Sequence, residues 1–483
     1  MKILRMFGSG FGIIISRQKN QPNREPNTMK ISKKQTQCKY SAIPDIKFDE
    51  QSLTSFGGLP IVQLLFSNLN LKERLRNCFR NQKNSGSYNI ETIALVVILH
   101  LILGFRKLQD ISYYNTDPLV LRTLGLNMVP SASTLSRYLA NVSSESVTEY
   151  RALSKNIVLE RLKKERLNRV TLDFDGSVIS TGRYAEGTAV GYNKIKKGQR
   201  SYYPLYCSIA QTGQIFDVHH RPGNVHDSNG AEAFILDCIR SVKASLPKST
   251  LELRMDSAFF SEEIVQSLVE EDVEFTISVP FARYTELKDL IEQRQRWRSM
   301  DDTTSFFQAS WKPKSWENRA EFIFVRQLKK IQQKGPVQLD LFTPYDYEYD
   351  FSVVVSNKKI KPKKVLAFHH GRGSQEGLFA ELKTQNQMDY VPTRNLNGNK
   401  IYLISTLISH NINREMQMIA HERKRGTTEK RKALWVFEKI DTFRKKILQR
   451  AGRITFPQGR ITLSLNVNKS AEQDFEHYLA SLS

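Results

Sequence analysis

Cysteine is scarce and dispersed in this chain. Only Cys38, Cys78, Cys207 and Cys238 occur, with no CxxC pair and no histidine at zinc-finger spacing. That argues against a zinc-type site and a disulfide framework, and it points to reduced thiols in a cytoplasmic protein. Long apolar runs are missing as well. The longest, Ile93 to Phe105, is shorter than a bilayer span and contains His100, so a buried helix is expected rather than a membrane-spanning one. Met1 to Ser16 is interrupted by Gly8, Gly10 and Gly12 and is followed by no cleavage site, so no export signal is expected. Gln21 to Thr28 is rich in Pro, Asn and charge, which places the start of the folded chain later and makes Met29 an alternative start. There is no internal repeat.

Acidic charge is the other shortage. Against 72 Lys and Arg stand 49 Asp and Glu, a formal net charge of +23 spread over most of the chain. A polyanionic partner follows, nucleic acid being the commonest; the alternatives are a merely soluble basic protein or one drawn to anionic membrane surfaces. At 483 residues, two to four domains are expected.

From Phe48 to Asn168 the pattern is helical. Apolar residues recur at helical spacing over Ile61 to Phe79, Glu91 to Phe105 and Leu119 to Leu124, and Ser144 to Leu167 forms a longer amphipathic helix. Pro130 to Tyr138 reads as a turn, a cap and a new helix whose first turns are small, polar and basic, Arg137 among them. Such a helix suits a major groove as the second half of a helix-turn-helix, and it suits plain scaffolding equally.

The pattern then changes to strands. Val170 to Ser177 alternates, with Val170, Leu172 and Phe174 on one face and Thr171, Asp173 and Asp175 on the other, and the run ends at Gly176. Leu251 to Ser257 alternates in the same way and finishes on Asp256, with Arg254 sharing its face. Acids at strand ends are well placed to face a cleft. Helices over Ala231 to Val242 and Ser261 to Glu271, and a strand over Glu274 to Val279, make Val170 to Pro280 an α/β block. Between its first strands, Arg183 to Tyr203 interleaves bases and aromatics, including Tyr192, Lys196, Lys197 and Arg200. This fits a hairpin that tracks phosphates and stacks on bases, or an exposed ribbon with solvated lysines. His219, His220 and His226 lack a second group at ligand spacing. Phe281 to Pro362 reads as an inserted, mostly-β subdomain, with Trp311 and Trp316 in loops. His421 to Arg450 is strongly basic on an expected helix pair, either a solvated face or a phosphate track. Short strands over Arg453 to Val467 are expected to end the fold.

The stretch His369 to Lys383 organises the rest. After a Gly-rich turn, Ser374 is expected to cap a helix from Gln375, with Leu378 and Leu382 on its buried side. Arg372, Glu376, Ala380 and Lys383 fall on the other side. One carboxylate flanked by two cations suits a metal held beside phosphates, although a solvated helix face looks similar. Asp175, Asp256 and Glu376 together are hard oxygen ligands without a zinc-type set, which favours Mg2+ or Mn2+. Two such ions, about 3.5 to 4 Å apart, serve in-line phosphoryl transfer. Arg372 and Lys383 would then neutralise the scissile and flanking phosphates.

These residues resemble the DDE transposases of bacterial insertion sequences, in the group marked by a Tyr-x2-Arg-x3-Glu-x6-Lys signature. Here the signature reads His369, Arg372, Glu376, Lys383, with every spacing kept and His in place of Tyr. Asp175-Gly176-Ser177 is similar to the group's first Asp and Arg254-Met255-Asp256-Ser257 to its second. Asp173 is a rival for the first position, and the Gly-Ser that follows Asp175 favours the latter. Gly191-Tyr192-Asn193, Ser201 to Leu205 and Arg221 to Asn224 are also similar.

The resemblance implies an α/β fold. Its RNase H-like catalytic core (169–280 and 365–420) would be interrupted by a mostly-β insertion subdomain (281–364). Outside roughly Asn168 to Lys383, the stretch that the resemblance covers, the residue patterns themselves predict an all-α N-terminal domain (47–168) suited to DNA binding, a flexible basic segment before it (1–46) and a basic C-terminal region (421–483). The resemblance implies catalytic and metal-binding roles for Asp175, Asp256 and Glu376, with two Mg2+ or Mn2+ ions and Asp173 as a further ligand candidate. The activity implied is cut-and-paste transposition, with DNA end cleavage at terminal inverted repeats followed by strand transfer to target DNA. A homodimer on paired ends, located in the cytoplasm with the nucleoid, goes with it. His369, Arg372 and Lys383 would contact DNA, and Trp311 or Trp316 would stack on a flipped base. The rivals are a repurposed DNA-binding protein without catalysis and a metal-dependent nuclease without strand transfer.

Overall fold

The computed structural model describes residues 45–82, 86–191, 193, 196–225, 230–329 and 349–483. Met1–Glu50 is one unit, of which the described residues 45–50 carry no regular structure; Gln51–Ser483 is the other. The segment expected over 1–46 therefore lies almost wholly outside the described residues.

A two-residue strand, Leu53–Thr54, opens the second unit, pairing antiparallel with Gly452–Thr455, and helices follow. α1 (Leu59–Asn68) and α2 (Leu71–Cys78) part at Asn70, whose left-handed backbone (φ 48°) breaks the periodic run. α3 (Ile90–Leu103) is buried on nearly every side, which is why it shows no amphipathic stripe, and it stops at Gly104 in the left-handed conformation. α4 (Pro118–Leu124), α5 (Ala132–Ala140) and α6 (Ser144–Glu165) each begin at a side-chain cap, supplied by Asp117, Ser131 and Ser143.

The sheet begins with β1 (Arg169–Gly176), β2 (Leu205–Ile209) and β3 (Gln214–His219). After α7 (Ala231–Ser245) come β4 (Thr250–Met255), α8 (Glu262–Glu270) and β5 (Glu274–Ser278). α9 (Thr285–Glu292) leads to β6 (Arg298–Ser299), β7 (Thr304–Trp311), β8 (Ala320–Leu328) and β9 (Tyr349–Ser356). All nine strands join one sheet in the order β6-β7-β8-β9-β5-β4-β1-β2-β3. β4 is parallel to β1 and β5, and every other neighbouring pair is antiparallel. The strands expected as an insertion therefore extend the central sheet through the β9–β5 pair. Trp311, read as loop from its lysine neighbours, closes β7.

Leu172 and Phe174 of β1 pack with residues of α7 and α8, while Thr171 and Asp173, on the opposite face, are equally buried. A strand covered on both faces must satisfy its inward polar groups internally, and β1 does so with charge.

The chain returns through α10 (Pro362–His370), one 3-10 turn (Gly371–Gly373), α11 (Ser374–Gln385) and α12 (Leu396–Ala420). α12 packs on α3, α5 and α6, and Asn411 within it exchanges two hydrogen bonds with the backbone of Ile215 in β3. The N-terminal helices and the sheet thus share a core helix. The basic tail departs from expectation. His421 to Lys439 is irregular, only Ile440–Phe443 and a π turn over Arg444–Leu448 are helical, and a helix over Lys469–Leu482 follows. Two of its guanidiniums turn inward, while Arg423 and Arg425 stay exposed: Arg444 donates to the carbonyls of Leu101 and Ile102, and Arg431 pairs with Glu252. The Arg431 contact helps fix a stretch that has no helical hydrogen bonds of its own.

Candidate active site

Parallel pairing places two acids side by side. The register sets Asp173 of β1 against Arg254 of β4, so Asp175 and Asp256, each two residues on, stand together at the carboxyl ends of adjacent parallel strands. That end of a parallel sheet is where loops open a crevice. Both acids are half-buried. Asp175 Oδ1 accepts the amide of Gly176 at 2.8 Å, and Asp256 Oδ1 accepts that of Ala258 at 2.9 Å, capping the short turn Ser257–Phe259.

Asp173 is not available to a ligand. Its two oxygens accept from Arg254 Nε and Nη2 at 2.5 and 2.7 Å, and both residues are fully buried. Burial pushes its carboxyl up from the ordinary value, and Arg254 and Arg372 act against that. Of the two aspartates in β1, Asp173 is committed to Arg254 and only Asp175 is partly exposed, at the strand end, so Asp175 is the one placed to meet a ligand.

The helical stretch after β9 closes over this edge. Arg372 Nη1 donates to Asp175 Oδ2 at 3.3 Å. Gln375 Nε2 donates to the Asp173 carbonyl and to Ser208 Oγ, both at 3.0 Å, which pins the first turn of α11 onto β1 and β2. The buried face of α11 is Gln375, Phe379 and Leu382, at helical spacing, with Leu378 only partly covered. Glu376 is exposed beside Gln375. Ser374 does not cap the helix: it lies within it, its Oγ donating to the Gly371 carbonyl, because α10 and α11 form a nearly continuous helical run. Lys383 is part-buried; burial lowers its pKa from the ordinary value, while Asp389 and Asp175 support its charge.

As donors, Asp175 and Asp256 suit a hard divalent cation, being all oxygen and adjacent. Among the described residues, however, no three Asp, Glu, His or Cys side chains are gathered closely enough to hold a metal ion, so the three acids do not form such a group.

The residues expected on DNA divide sharply. His369 is buried, with Nε2 2.8 Å from Ser278 Oγ and Nδ1 3.0 Å from Thr276 Oγ1. Burial, with Arg372, His370 and Arg254 nearby, lowers its pKa to about 3. A neutral ring with both nitrogens engaged does not contact a phosphate; it seats α10 on β5. Trp316 is buried and stacked on Phe260 at 4.8 Å, so it is core rather than a stacking platform. Trp311 is partly exposed and packs edge-on against Phe322 and Tyr284. Lys196, Lys197, Arg200 and Arg137 are exposed, as phosphate contacts require, and Tyr192 lies outside the described residues. Arg254 and Gln375 build the site from beneath, a role that the sequence pattern, which shows Arg254 only as sharing the face of Asp256 and Gln375 only as the start of a helix, does not assign to them.

A family model described as Transposase DDE domain group 1 matches residues 36–483. Among solved structures, the chain is similar to a piggyBac transposase synaptic complex with hairpin DNA, at 12% identity over 81% of this chain and 79% of that one, with a TM-score of 0.39. It is also similar to a Mos1 transposase paired-end complex with the left transposon end, at 12% identity over 40% of this chain and 59% of that one, with a TM-score of 0.17. A Mos1 mariner paired end complex with Mn matches at 14% identity over 42% and 65% of the two chains, with a TM-score of 0.16. No curated protein matches the chain by sequence.

Proposed function

The chain belongs to the transposase DDE domain family, group 1, and from that premise we propose that it binds the terminal inverted repeats of an insertion sequence, cleaves the DNA there and transfers the freed strands to target DNA. One observation carries the reading: Asp175 and Asp256 end adjacent parallel strands beneath the helical turn that brings Arg372 onto Asp175. The sheet order β3-β2-β1-β4-β5, with its first three strands antiparallel and the next two parallel to β1, supports an RNase H-like core.

In this reading Asp175, Asp256 and Glu376 are the catalytic acids; Asp175 and Asp256, adjacent at the strand ends, would hold the first Mg2+ or Mn2+ ion, and Glu376, exposed on α11, would have to draw in toward them to complete a two-ion site. Such ions, when bound, supply charge for the attacking and leaving oxygens of phosphoryl transfer. Arg372 and Lys383 bind the phosphates on either side of the scissile bond. The exposed cations Lys196, Lys197, Arg200 and Arg137 extend that contact along the backbone, and Trp311 offers the one partly exposed indole of the pair. A homodimer would hold the two ends together, in the cytoplasm with the nucleoid.

The test is an assay with linear DNA that carries the flanking inverted repeats, Mg2+ and a labelled acceptor plasmid. Cutting with joining supports transposition. Cutting without joining makes the protein a nuclease, and binding alone makes it a repurposed DNA-binding protein.

A further inference from the structure

Arg254 is fully buried in β4, yet its side chain meets three other stretches of the chain. Nε and Nη2 hold Asp173 of β1, and Nη1 donates to the carbonyls of Phe368 in α10, at 3.0 Å, and of Lys430, at 2.8 Å. Gly371 lies against the same nitrogen: a Cβ there would stand 2.1 Å from Arg254 Nη1 and 2.0 Å from the Lys430 oxygen. Because Gly371 has ordinary helical angles (φ −61°), the glycine is needed for space and not for backbone freedom.

The Lys430 carbonyl is itself aimed. Arg431 has a left-handed backbone (φ 48°), uncommon for a residue with a side chain, and its guanidinium donates to both oxygens of Glu252 at 2.8 and 3.0 Å. A conformation of that kind persists where surrounding contacts over-determine it. On the other side of the pair, the Asp173 carbonyl accepts from Gln375, the neighbour of Glu376.

Every element that carries a candidate catalytic acid is therefore fastened at or next to one guanidinium: β1 below Asp175, β4 below Asp256, and the α10–α11 junction ahead of Glu376. We infer that Arg254 is a positioning residue, which sets the separation between α11 and the two strand ends, and that the segment through Lys430 locks that setting from the C-terminal side. This rests on the reading of the site as a DNA-cleaving centre. A buried ion pair is not needed for packing alone, since apolar residues of similar volume fill a core at no greater cost. A planar fork that holds four acceptors at fixed angles is what registration of separate segments demands.

Two full-length variants, Arg254→Lys and Gly371→Ala, test it alongside the wild type. Lysine keeps the charge and loses the fork; alanine keeps Arg254 and displaces it. Each is expected to lower kcat for end cleavage by about 10- to 100-fold, the effect of a displacement near 1 Å, with KM for the end DNA and equilibrium DNA affinity within about twofold of wild type. A purely structural role would change the fraction of folded protein, read by thermal melting and active-site titration, and leave kcat per folded molecule unchanged. If Arg254→Lys does not fold, Gly371→Ala carries the test. Wild-type kcat in a folded variant, or a loss of DNA affinity that matches the loss of rate, overturns the inference. Failure of the wild type to cleave overturns the underlying reading instead.

Discussion

Arg372 reaches back from the turn before α11 to Asp175 at the end of β1, with Nη1 3.3 Å from Oδ2. The contact joins the helix that bears Glu376 to the strand that bears the first acid, and both side chains are about one-fifth exposed. A phosphate entering the crevice would compete for the same guanidinium. Asp175→Asn removes the charge and keeps the shape, so cleavage should fall by about 10³-fold or more, equivalent to several kcal/mol of lost transition-state stabilisation. DNA affinity should stay within a few-fold. Cleavage of labelled end DNA and fluorescence anisotropy measure the two separately, and an Asp175→Asn protein that cuts at the wild-type rate would remove this residue from the site.

Asp173 should behave differently, although it sits only two residues away. Asp173→Ala leaves the Arg254 guanidinium buried and unpaired, which costs about 3 to 5 kcal/mol. Its first symptom is lost stability, seen as a lower urea midpoint with unchanged slope. Equal midpoints for the Asp173→Ala and Asp175→Asn proteins would refute the division of roles between them.

What could be read along the chain was what depends on local period. The alternation of β1 and β4, the acids at their ends and the buried run of α3 are set by neighbours within a few residues, and the structure has them where they were expected. What could not be read was the choice of partner. Arg254 and Asp173 are 81 residues apart, and only the parallel register brings them together. His369 resembles a DNA contact until Thr276 and Ser278 arrive from β5 to occupy its ring. Within the C-terminal charge run, Arg423 to Lys430 do face outward, but Arg431 finds Glu252 at a separation of 179 residues. A cation with a distant acid is indistinguishable, in sequence, from one meant for phosphate.

Acid should unfold this protein through its interior histidines. Burial lowers His100 to about 4 and His220, His369 and His410 each to about 3, below the 6.5 of an unfolded chain. The folded protein keeps them neutral, so their contribution is complete above 6.5 and is lost as pH falls toward 3 to 4. The slope is about 1.4 kcal/mol per histidine per pH unit. Glu252, held down to about 2 by Arg431 and Lys358 despite its burial, adds a loss in the same direction below 4.5. Urea midpoints measured at pH 7, 6 and 5 should drop steadily, and a flat series would show that these rings are not buried as described.

Lys383 offers the cleanest separation of binding from chemistry. It lies on the same side of α11 as Glu376, partly buried, and its charge is opposed by burial and supported by Asp389 and Asp175. A cation so placed is suited to one phosphate rather than to the reacting atoms. Lys383→Ala should weaken binding of end DNA uniformly across sequences and reduce the slope of log K against log salt by about one. Lys383→Arg should restore the slope, because a guanidinium carries the same charge to the phosphate. An unchanged salt slope in the alanine variant would mean that the ammonium does not contact DNA and serves only to balance the two aspartates.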